Sequence, residues 1–107
     1  MRPVRWSAKA KTSIGEVFDY YLYADLPEVT HRITRRITAA GDALGEYSTG
    51  RPSWVAGTYL KSITDMSYLL VYRVEGRGDA ERIVILDVVH TRRDWIPGDL
   101  PPKPKPR

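Results

Sequence analysis

The densest run of chemically capable side chains in this sequence stands near its end, where His90 is followed by Thr91, Arg92, Arg93, Asp94 and Trp95. An imidazole titrates near neutral pH and guanidinium groups stabilise negative charge, so the run suits proton transfer at a phosphate or the binding of an acidic partner. A purely structural reading of the same residues pairs one arginine with Asp94 and uses Trp95 to close the edge of the core. The other histidine, His31, lies among Arg32, Arg35 and Arg36 and reads as a solvated side chain on a helix. The two histidines lack the spacing of metal ligands, and with no cysteine in the chain a thiolate site, a disulfide and a cysteine nucleophile are excluded. No metal or cofactor is expected. The phosphate-loop, dinucleotide, nucleophile-elbow and HExxH patterns are all missing.

A second, more dispersed set is basic: Arg51, Lys61, Arg73, Arg92 and Arg93, interleaved with Tyr59, Tyr68 and Tyr72. Lys and Arg total 17 against 13 Asp and Glu, a net charge of +4. That balance favours an acidic partner, whether nucleic acid or an anionic protein segment, over a neutral one. The competing reading is a domain that is merely basic. If the strands carrying these residues are neighbours, the set gathers on one side of a sheet. Alternation limits this, because Tyr72 and Arg73 must point to opposite faces.

The elements that would position these residues are legible from period and punctuation. Val4 to Ser7 reads as a short strand. Ala10, Ile14, Val17, Phe18, Tyr21 and Leu22 keep the three-and-four spacing of one helical face, predicting a helix over Ala8 to Ala24. Asp25 and Pro27 stop it and start a second helix running to Leu44, with Val29, Ile33, Ile37, Ala40 and Leu44 along one stripe. Residues 46–53 read as a polar loop. Three strands follow, Trp54 to Ile63 with an irregularity at Gly57, Ser67 to Glu75, and Arg82 to Val89, the last two joined by a turn over Gly76 to Asp79. The final strand is apolar on both parities, as a strand covered on both faces would be. The order strand, helix, helix, three strands predicts an α+β fold with a helical hairpin on one face of a twisted, mainly antiparallel sheet. Ile14, Phe18, Ile33, Ile37, Val71 and Ile85 are expected to fill the layer between them, leaving the opposite face open. One domain, 1–97, precedes an extended Pro- and Lys-rich tail, 98–107. Neither a signal peptide nor an apolar stretch of membrane-spanning length is present, which fits a cytoplasmic chain.

Taken in order, Gly50, Arg51 and Pro52, then Gly57 and Thr58, then Ser67 to Val74, and finally Val88 to Trp95 resemble the RelE/ParE superfamily of type II toxin–antitoxin toxins over residues from about 4 to 97. The resemblance implies the β-α-α-β-β-β fold and a cognate antitoxin that is acidic, partly disordered and helix-forming. It also implies one of two targets: the ribosome and its messenger RNA, cut by RelE-like members, or DNA gyrase, poisoned by ParE-like ones. For a ribonuclease the catalytic set would be His90, Arg92, Arg93 and Lys61. For a gyrase inhibitor Arg51, Tyr59, Arg73, Arg92, Arg93 and Trp95 would touch target or antitoxin. Leu69 stands where RelE-like nucleases carry an arginine, and no Lys-x-Lys pair surrounds Lys61. The ParE-like branch, without nuclease activity, is therefore expected, with a ribosome-dependent ribonuclease or a non-toxic basic binding module as the alternatives.

Overall fold

The computed structural model describes residues 1–53, 55–64 and 66–91. Their elements are β1 (Val4–Trp6), α1 (Ala8–Tyr23), α2 (Pro27–Ala43), β2 (Arg51–Pro52), β3 (Thr58–Ser62), β4 (Tyr68–Glu75) and β5 (Arg82–His90). The strands form a single sheet in the order β1-β5-β4-β3-β2. β1 runs parallel to β5, and every other pair is antiparallel. No described helix is long and apolar enough to cross a membrane.

Local chemistry sets the helix ends. The Ser7 hydroxyl accepts the Ala10 N–H at 3.0 Å and so caps α1. At the other end Asp25 adopts a left-handed conformation, φ 59°. Its N–H reaches the Leu22 carbonyl at 3.0 Å, and the Leu26 N–H reaches that of Tyr21 at 3.1 Å. This pair of bonds is the Schellman arrangement, and it closes α1 one residue before the expected Ala24. α2 starts at Pro27, whose missing N–H costs nothing in a first turn. Thr30 is fully buried, and its hydroxyl is satisfied by the Leu26 carbonyl at 2.9 Å.

Between hairpin and sheet lie Ile37, Leu70, Tyr72, Ile83 and Ile85, all without solvent contact. Ile14 and Ile33 flank them, while Phe18 meets the His31 ring edge-on at 5.9 Å. Val71 does not belong to this layer. Leu70 and Tyr72 face the hairpin, so alternation turns Val71 to the far side, where it is buried with Leu60, Leu69 and Val89. The far face is accordingly not bare, as expected, but carries a second small core.

Two further departures have local causes. Arg51 and Pro52, read as loop, pair with Leu60 and Tyr59 and add an edge strand two residues long. The strand expected from Trp54 starts only at Thr58, because Val55 accepts both the N–H and the hydroxyl of Thr58 in a turn ending at Gly57, φ 82°. β5 is interrupted by a bulge: Val71 is opposite Asp87 and Tyr72 opposite Ile85, leaving Leu86 as the extra residue. Beyond it the parity of β5 is reversed.

Candidate functional site

The sheet face turned away from the hairpin carries a row of side chains set by register. Arg5 of β1 and Arg73 of β4 both pair with Val84 of β5, from opposite sides. One step along, Glu75 pairs with Arg82. The Glu75 carboxylate accepts from Arg82 at 2.9 and 3.0 Å and from Arg73 at 2.5 Å. Hydrogen bonds from Arg82 first, and then from Arg73, hold its carboxyl below its ordinary pKa. Trp6, at the end of β1, and Lys11, in the first turn of α1, wall one side of a shallow groove of about 650 Å³ along this row. Among the described residues, Arg5, Lys11, Arg73 and Arg82 share this groove with the single carboxylate of Glu75, and Arg5 and Lys11 have no ion-pair partner. The two bridged arginines remain about half exposed, at 48% and 45%. Such a groove attracts anionic groups over a broad area.

The residues singled out in the sequence divide between the two faces. Arg73 lies in the groove. Arg51, on β2, pairs with Leu60 and so shares that face at the opposite edge of the sheet, where its guanidinium contacts the Ser62 hydroxyl at 3.4 Å. Tyr59 and Lys61 alternate with Leu60 and therefore point to the hairpin side. Tyr59 stacks on Tyr72, centroids 5.4 Å apart, and the Tyr72 hydroxyl accepts the Gly50 N–H at 2.9 Å. These tyrosines are packing residues that tie β2 and its preceding loop to the sheet. The bulge in β5 brings His90 to the hairpin side too, opposite Tyr68 with ring centroids 5.0 Å apart. Lys61 and His90 thus share a face, but two strand spacings and two residues separate their positions, about 12 Å. Arg92, Arg93 and Trp95 lie outside the described residues. Among the described residues no three His, Cys, Asp or Glu side chains come together as a metal site would require.

Reading the sequence missed Arg5, Lys11 and Arg82. The parity of Arg5 between Val4 and Trp6 is visible in the chain, but its place beside Arg73 depends on the parallel pairing of the first strand with the last, which no local pattern encodes.

Comparison with known proteins adds an independent line. Residues 4–95 match the family described as "ParE toxin of type II toxin-antitoxin system, parDE". A protein of Sinorhizobium fredii (strain NBRC 101917 / NGR234), named "Putative toxin Y4kP", is 31% identical over 93 residues, covering 86% of this chain and 91% of that one. A chain of the solved structure titled "Chromosomal ParDE TA system from P. aeruginosa" superposes with a TM-score of 0.72 at 24% identity, covering 82% of this chain and 94% of that one. At that identity the likeness speaks for the fold.

Proposed function

The chain belongs to the ParE toxin family of type II toxin–antitoxin systems, and we propose that it arrests growth by binding DNA gyrase and is neutralised when a cognate antitoxin covers its arginine-bearing face. The observation that carries this reading is the partition of the basic residues. Arg5, Arg73 and Arg82 form a continuous exposed row on one face, while Lys61 and His90 are turned to the other and stand about 12 Å apart. A nuclease must bring several donors and a proton carrier to a single phosphate, whereas a binding protein needs only a complementary surface. Leu69, at the position where RelE-like nucleases carry arginine, is buried in the second core. The antitoxin part of the proposal draws on the solved neighbour, which is titled as a toxin–antitoxin system, and on the groove's excess of cations, which suits an acidic segment. The discriminating experiment adds purified protein in parallel to a gyrase supercoiling assay and to ribosomes programmed with messenger RNA. Inhibited supercoiling, relieved by the product of an adjacent antitoxin gene, is the expected outcome. Cleavage of the message with supercoiling untouched overturns it.

A further inference from the structure

On the hairpin side, away from the arginine row, a second cleft of about 270 Å³ opens where α2 passes the ends of β4 and β5. Tyr21, Arg32, Arg36, Ser67, Tyr68 and His90 line it, and none of the described residues lining it is acidic. Arg32 and Arg36 are one helical turn apart, so both guanidinium groups reach the same side of α2. Arg36 is positioned: its Nη2 donates to the Thr64 carbonyl at 2.6 Å, leaving other N–H groups of the fork for a ligand. Arg32 makes no hydrogen bond or ion pair to any other described residue. On the opposite wall the Ser67 carbonyl accepts the Thr91 N–H at 2.8 Å, which ties the strand ends together, and the His90 ring packs edge-on against Tyr68.

We propose that this cleft binds a phosphate-type oxyanion, as inorganic phosphate or as the terminal phosphomonoester of a nucleotide. Donors arriving from a helix on one side and from strand ends on the other suit a tetrahedral anion with oxygens pointing several ways. A planar carboxylate is already satisfied by one bidentate fork. The volume lies below the usual range for small-molecule pockets, so it accommodates the phosphate group while an attached nucleoside projects into solvent. The site is independent of the gyrase proposal, since it uses the other face of the sheet and none of Arg5, Arg73 or Arg82.

The test is a titration of the isotope-labelled full-length chain with inorganic phosphate, followed by amide NMR. Saturable shifts at Ser67, Thr91 and the Arg32 to Arg36 turn, without matching shifts around Arg73 and Val84, are expected. Adenosine monophosphate should bind within about threefold of inorganic phosphate if the phosphoryl group is what is recognised, and adenosine should not bind. Arg32→Gln, at an exposed residue with no hydrogen-bond or ion-pair partner among the described residues, should keep the melting temperature and weaken phosphate about tenfold; Arg36→Gln, read alongside it, should weaken it at least as much. The proposal is overturned by equal shifts on both faces of the sheet, by acetate binding as tightly as phosphate, by Arg32→Gln binding like wild type, or by no binding at all.

Discussion

Glu75 is the side chain that organises the arginine face. Its carboxylate holds Arg73 and Arg82 in place, and both arginines depress its pKa from the ordinary 4.5. A carboxyl that is more acidic in the folded than in the unfolded chain stabilises the fold above the unfolded pKa, and that contribution disappears as pH falls through the folded value. Glu75→Gln should therefore melt below wild type at pH 7, with the gap closing in thermal melts taken progressively below pH 4.5. A gap that persisted at pH 2 would mean that the carboxylate's charge is not what matters. Gly41 is a second informative residue. The Trp6 indole lies directly over its Cα, and a Cβ there would overlap the ring, while the indole N–H donates to Asp42 at 3.3 Å. Gly41→Ala should cost about 1–3 kcal/mol through displacement of Trp6, measurable by chemical denaturation. In the sequence Gly41 is only a weak helix former. Its reason for being there lies 35 positions away in the chain, beyond the reach of any local pattern.

At the scale of elements, helix period and capping chemistry were sufficient to place both helices and the two long strands, because each signal there is local and repeated. Three features escaped for definite physical reasons. The edge strand at Arg51 is too short to show alternation. Val71 sits in a run, Leu69 to Tyr72, that is apolar on both parities, so nothing in the run says which members face the hairpin. The bulge at Leu86 reverses parity within β5, and only the pairing partner reveals it. That reversal decides the face on which His90 lies, so the most conspicuous chemical residue of the sequence was the one whose surroundings were least legible. Two substitutions test the element-level account. Ile85→Asp places an unpaired carboxylate in a position with no solvent contact and should abolish cooperative unfolding, since several kcal/mol is a large part of a total of roughly 5–15. Asp25→Gly should act in the other direction. Relieving a left-handed non-glycine residue at the Schellman turn should raise stability by about 0.5–1 kcal/mol, measurable by chemical denaturation.

For the molecule as a whole the decisive property is that its two faces carry different kinds of positive charge. The far face bears a broad, exposed row anchored by Glu75, while on the hairpin side two arginines of α2 border a small cleft. A protein partner engaged by the row should be steered to it over distances comparable with the Debye length, so association should slow markedly as salt rises from about 50 to 500 mM. Arg5→Glu and Arg82→Glu should each weaken inhibition of gyrase in a graded way, severalfold at low salt and less at high salt. Lys61→Ala and His90→Ala, on the other side of the sheet, should leave inhibition within about twofold of wild type. A ribonuclease would reverse the order: loss of a proton carrier at His90 would reduce turnover by about a hundredfold or more, with a change in its pH profile, while Arg5→Glu would matter little. Measuring the four variants in both assays therefore reads the target and the face that meets it in one experiment. A hundredfold loss at His90 with Arg5→Glu unaffected would remove both the gyrase assignment and the role given to the arginine row.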